Sequence, residues 1–94
     1  MTRDRVLQVL RPVLSTIIES PVEDIRDHYT LADDLGMDSL DAIELELAIE
    51  ERLPIAIGPN ERDNLVHGPN GAGLTVAALA DMLVARLTGG SGAP

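Results

Sequence analysis

Ser39 stands between two carboxylates in DLGMDSLDAIEL, residues 34–45. Its hydroxyl follows a glycine at Gly36 and opens a run with helical spacing. A serine nucleophile needs a base within hydrogen-bond reach and a group that orients the base. Imidazoles occur only at His28 and His67, both distant from Ser39 in the sequence and in loop-like stretches. The glycines do not form the G-x-S-x-G turn of a nucleophile elbow. Serine hydrolysis is set aside on these grounds, and both histidines read as surface residues. The carboxylates from Asp33 to Glu44 lack the alternating spacing of a calcium loop. No dedicated metal site is expected. The chain has no cysteine, which removes disulfides, thiolate metal sites and cysteine catalysis.

The residues allow attachment at Ser39 without demanding it. The first turn of a helix has unpaired N–H groups and the positive end of the dipole, so a phosphate ester there is stabilised. Asp38 and Asp41 oppose it, but between exposed groups that repulsion is small and screened.

Net charge is −9, which argues against nucleic acid as a partner. Its distribution is uneven. Between Glu19 and Glu51 there are 12 acidic residues and one basic residue, Arg26. The first 11 residues are net positive. The acidity is therefore local and centred on Ser39. An acidic face of this kind speeds encounter with basic partners; its plainer role is solubility.

The elements that must position Ser39 follow from periodicity. Residues 3–18 carry apolar side chains at 6, 7, 10, 13, 14, 17 and 18, the spacing of a helix. Pro12 lies inside it and predicts a kink, or a division near Arg11. Residues 19–38 form a long connection that carries Val22, Ile25, Leu31 and Leu35 as buried-looking positions. Residues 39–53 make the strongest helix, capped by Asp38 or Ser39 and ended by Pro54. Its apolar face is read as Ile43, Leu45, Ala48, Ile49 and Leu53, with Glu46 between the faces. Ile55–Ile57 reads as a short extended piece, residues 60–66 as about two helical turns, and 67–73 as loop. Thr75 caps a last helix over 75–87. The fold class is all-α: a small bundle of three main helices and one short helix, with a long first loop. Residues 1–88 form one domain and 89–94 a flexible tail.

The run from Asp34 to Glu51 closely resembles the acyl carrier protein signature. The resemblance extends over about residues 3–88. It implies that Ser39 carries 4′-phosphopantetheine, whose thiol holds acyl groups as thioesters. It implies that Asp38, Leu40, Asp41, Glu44, Leu47, Glu50 and Glu51 form the partner-recognition helix. The partners implied are a phosphopantetheinyl transferase, an acyl-ACP synthetase, and a ketosynthase or acyltransferase with basic docking patches. Ile43, Leu47, Ile57, Leu65 and Leu79 would line a cavity for the acyl chain. Three features depart from the family: the long Gly58–Gly73 segment, Glu46 where an aliphatic residue is common, and the absence of phenylalanine. They suggest a specialised carrier.

The expectation is therefore a non-enzymatic carrier for fatty acid, lipid or polyketide biosynthesis. An aminoacyl or peptidyl carrier and an unmodified acidic helical module are the alternatives. No apolar run approaches the ~18 residues of a membrane span, and the N-terminus lacks a signal-peptide pattern. A cytoplasmic monomer is expected.

Overall fold

The computed structural model describes residues 2–58, Leu65 and 73–88. Helix α1 spans Arg3–Ile18. The Thr2 hydroxyl caps it by accepting from the Arg5 amide at 3.3 Å. Val6, Leu7, Leu10, Val13 and Leu14 form its buried face, as their spacing requires. The helix runs unbroken through Pro12, so the division expected near Arg11 does not occur.

Its end is strained. Glu19 terminates α1 with φ 57° and ψ 48°, in the left-handed region, and its amide donates to the Ser15 carbonyl. The Ser20 amide donates to the same carbonyl at 3.1 Å. Glycine adopts this conformation without a Cβ penalty, which for other residues is about 1–2 kcal/mol. Part of that gain is lost to the greater entropy of glycine in the unfolded chain. Glu19→Gly should therefore stabilise the protein by about 0.5–1 kcal/mol, read as a higher urea midpoint at unchanged slope.

The long connection from residue 19 to residue 38 contains one 3-10 turn, Val22–Asp24, which the sequence did not announce. Ile25, Leu31 and Met37 point into the core. Val22, expected inside, is 39% exposed. Two sets of polar contacts fix the connection. Arg11 donates to the Ile25 carbonyl at 3.3 Å and pairs with Asp27. Thr30 and Asp34 bond each other reciprocally, the Thr30 amide reaching the Asp34 carboxylate at 2.8 Å and the Asp34 amide the Thr30 hydroxyl at 3.1 Å.

Helix α2 spans Ser39–Arg52 and helix α3 spans Val76–Leu87. The start of α3 is docked on the connection. The first four amides of a helix have no partner within it. Here Val76 donates to the Tyr29 carbonyl and Ala77 to the Asp27 carbonyl, both at 2.9 Å. Ala78 donates to the Thr75 hydroxyl at 3.0 Å and Leu79 to the Thr75 carbonyl at 2.9 Å. All four are satisfied, two of them by the loop. The Leu31 amide returns a bond to the Leu74 carbonyl at 2.9 Å, and Thr30 and Thr75 form an antiparallel bridge.

Helix α1 packs on both α2 and α3. The core they enclose is aliphatic, with Leu10, Leu14, Leu31, Leu45, Ile49, Leu65, Leu79 and Leu83 fully or almost fully buried. The all-helical architecture agrees with the sequence reading: three principal helices, and no strand among the described residues. The short helix expected over 60–66 and the tail over 89–94 lie outside the described residues, except for Leu65, which is buried.

One ion pair ties α1 to α3. The Arg3 guanidinium grips Asp81 with two bonds, of 2.7 and 2.6 Å, on the surface. The hydrogen bond from Arg3 holds the Asp81 carboxyl below the usual carboxylate range. A carboxyl whose pKa is lowered by folding stabilises the fold above its unfolded pKa, and that contribution fades as pH falls towards the folded value. The difference in Tm between wild type and Asp81→Asn should be constant above about pH 5 and close below about pH 4. The pair is exposed, so the difference itself will be small.

Candidate functional site

Two carboxylates organise the start of α2. Asp38 is the N-cap residue, and its carboxylate accepts from the Asp41 amide at 3.0 Å. Asp41 reaches back, accepting from the Asp38 amide at 3.3 Å. This reciprocal capping box assigns the cap to Asp38 rather than Ser39, which the sequence left open.

The consequence for Ser39 is chemical. It is the first residue of α2 and is exposed. Its hydroxyl has no hydrogen-bond partner among the described residues, because the capping duty falls to its neighbours. The turn before it is open: Gly36 has φ 69°, and a Cβ placed there would meet nothing within 4 Å. The Ala42 amide is taken by the Asp38 carbonyl at 3.0 Å. The amides of Ser39 and Leu40 have no acceptor among the described residues. An unengaged hydroxyl beside two available amides at a helix start fits a phosphodiester, against the screened repulsion of Asp38 and Asp41.

Among the described residues no imidazole serves Ser39. His28 is exposed in the first connection, with its ring edge-on to Tyr29 at 4.9 Å. His67 lies outside the described residues.

The rotation of α2 differs from the sequence reading. Its buried residues are Ala42, Leu45, Glu46 and Ile49, followed by Leu53. Ile43, read as part of the inner face, is 37% exposed, while Ala42 takes its place inside. Glu46 is 5% exposed, on the inner face rather than between the faces. Leu40, Ile43 and Leu47 project outward at 71%, 37% and 56% exposure. Spaced three and four apart, they form one apolar row along the helix. Glu44 and Glu51 are exposed on the same helix. Glu50 is half-buried, and its carboxylate accepts from the Ile57 amide at 2.8 Å. Asp41 is committed to the cap.

The five residues expected around an acyl chain are thus divided. Ile57, Leu65 and Leu79 are in the core, whereas Ile43 and Leu47 lie on the outer side of α2. The signal for the outer row was present in the spacing of positions 40, 43 and 47.

Among the described residues, a helical bundle displays an unengaged serine at a helix start, beside an acidic and partly apolar helix face, an arrangement compatible with covalent attachment. The comparisons agree. Residues 6–62 match the family described as "Phosphopantetheine attachment site". The chain is 33% identical to an acyl carrier protein of Saccharopolyspora erythraea over 93 residues, covering 99% of this chain and 93% of that one. It is 40% identical to an acyl carrier protein of Streptomyces coelicolor over 62 residues, covering 65% and 67% of the two chains. It is 34% identical to "Acyl carrier protein 3" of Ralstonia nicotianae over 55 residues, 58% of this chain. The stretch matched there spans 63% of that relative's length. The chain belongs to the acyl carrier protein family, and its prosthetic group is covalently attached 4′-phosphopantetheine. Among the described residues no helix is long and apolar enough to cross a membrane.

Proposed function

We propose that Ser39 is the attachment residue and that the protein carries acyl groups between enzymes of fatty acid, lipid or polyketide biosynthesis, without catalysing a reaction itself. The observation that carries this reading is the exposed Ser39 hydroxyl, left without a partner because Asp38 and Asp41 cap α2. When bound, the prosthetic group supplies a thiol on a flexible arm, which holds an acyl group as a thioester. At a transferase the Ser39 oxygen would attack the pyrophosphate of coenzyme A: its proton passes to a base of the transferase, the new P–O bond replaces the pyrophosphate P–O bond, and adenosine 3′,5′-bisphosphate leaves. The Ser39 and Leu40 amides, without acceptors among the described residues, would be available to hold the phosphate. The fixed first connection and the capping box keep the helix start in place through successive loadings.

Tethering converts each encounter between acyl group and enzyme into a contact at high effective concentration. The carrier supplies the rest of the recognition. Leu40, Ile43 and Leu47 offer an apolar strip, and Glu44 and Glu51 offer charge. Partners with basic patches around an apolar contact complement both: a phosphopantetheinyl transferase, an acyl-ACP synthetase, a ketosynthase or an acyltransferase.

Intact mass after incubation with a broad-specificity phosphopantetheinyl transferase and coenzyme A tests the attachment. Wild type should gain one phosphopantetheine and Ser39→Ala none. An unchanged wild-type mass with several transferases, or an equal gain in the variant, overturns the assignment.

A further inference from the structure

A single peptide unit is held by side chains of opposite charge from two helices. The Ala56 carbonyl accepts from the Arg86 guanidinium, in the last turn of α3, at 2.5 Å. The Ile57 amide, the other end of the same peptide, donates to the Glu50 carboxylate on α2 at 2.8 Å. The peptide is trans. Such a unit is planar, and its C=O and N–H point to opposite sides. Residues 54–57 therefore act as a strap, gripped by α3 at one edge and by α2 at the other. Both bonds are charge-assisted, and each polarises the peptide in favour of the other. The strap keeps Ile57 in the core, where its side chain is 6% exposed.

Glu50 also borders the outer surface of α2. Positions 40, 43, 47 and 50 are spaced three, four and three apart, so Glu50 extends the exposed row of Leu40, Ile43 and Leu47 by one turn. It is half-buried rather than enclosed, and the exposed Glu51 lies beside it. A cation of a partner seated on that row comes within reach of its carboxylate. The Ile57 amide is neutral and holds one oxygen, Oε2. A guanidinium takes both oxygens at once and binds a carboxylate more strongly than a neutral donor does. We propose that Glu50 is a positioning residue that couples docking to the strap: a partner's guanidinium draws its carboxylate outward, and the Ile57 amide is released. Arg86 keeps the Ala56 carbonyl, so the strap stays with α3 and parts from α2. Loosening is thereby confined to the docked state, when a tethered acyl group has an enzyme to receive it. The inference rests on the docking of basic partners along α2.

The test is amide hydrogen exchange by NMR on the full chain, alone and saturated with a broad-specificity phosphopantetheinyl transferase at low ionic strength, without coenzyme A. Occupancy is read from shifts of the Glu44 and Glu51 amide signals. The Leu53 amide, which donates to the Ile49 carbonyl at 2.8 Å, reports on the end of α2 itself. In wild type, docking should speed exchange at Ile57 by about 10-fold or more, the loss of one charge-assisted bond, and should leave Leu53 unchanged or slower. A partner that merely covers the surface slows exchange, so acceleration is a signature a purely structural Glu50 would not give. Glu50→Gln keeps an acceptor for Ile57 without a charge to attract the partner. In it the transferase should leave Ile57 exchange unaccelerated. Unchanged or slower exchange at Ile57 in the wild-type complex overturns the inference. So does equal acceleration in Glu50→Gln, or acceleration at Leu53 to match Ile57. Absence of any shift at Glu44 and Glu51 would instead overturn docking along α2, and the inference with it.

Discussion

Reversing charge at Glu44 and Glu51 together should slow phosphopantetheine transfer to Ser39 by about 10–100-fold at low ionic strength, through steering of the encounter. The choice of residues follows from the structure. Both side chains are exposed on α2, and neither caps the helix. Asp41 is the more obvious target by sequence, but its carboxylate accepts from the Asp38 amide. Replacing it would disturb the helix start along with the charge. Glu50 is excluded for a similar reason, since it holds Ile57. The Glu44→Lys/Glu51→Lys protein should therefore keep wild-type helicity by circular dichroism while its kcat/KM for modification falls. Raising salt to 0.5 M or so should bring the two proteins together, because exposed charges interact little beyond a Debye length. Equal rates at low salt would leave the acidic face with solubility as its only role.

Leu31→Ala should destabilise the protein by about 3 kcal/mol, within the usual range for a buried leucine. Leu31 belongs to no helix, yet its side chain is 0% exposed. Its backbone is committed at both ends: the amide donates to the Leu74 carbonyl, and the carbonyl accepts from the Met37 amide, both at 2.9 Å. Neither bond holds a helix together; they join the first connection to the approach to α3 and to the approach to α2. The surrounding structure has little freedom to collapse into the space left by the side chain. For a domain of this size the loss corresponds to a drop in Tm on the order of 15 °C. A change below about 1 kcal/mol would show that the connection closes around the cavity and contributes little to the core.

The two variants bear on different parts of what could be read from the sequence. The helices were legible because their apolar spacing is regular: positions 6, 7, 10, 13 and 14 in α1 are all buried. The place of Ser39 at a helix start was legible because its neighbours are the types that cap a helix. The rotation of α2 was not. That helix carries aliphatic residues on its outer row as well as its inner one, so counting them placed Ile43 inside and Glu46 at the margin. Ala42, small and weakly apolar, gave little weight to the true face. The packing of the first connection was only half legible. Ile25 and Leu31 marked it as a buried stretch, but its docking on α3 depends on bonds between residues more than forty positions apart, and no local pattern announces those.

That docking bears on the order of folding. Helix α3 obtains the acceptors for its first two amides from Tyr29 and Asp27. Closing a loop of nearly fifty residues must precede those bonds, and the entropy of closure is lost before they form. The N-terminal turn of α3 is therefore expected to become ordered late, after the connection has settled against α1. An excised peptide covering residues 73–88 would fray at that end, whatever the helical propensity of VAALADMLVARL. In the intact chain, hydrogen exchange at the Val76 and Ala77 amides would report on the integrity of a loop rather than of a helix.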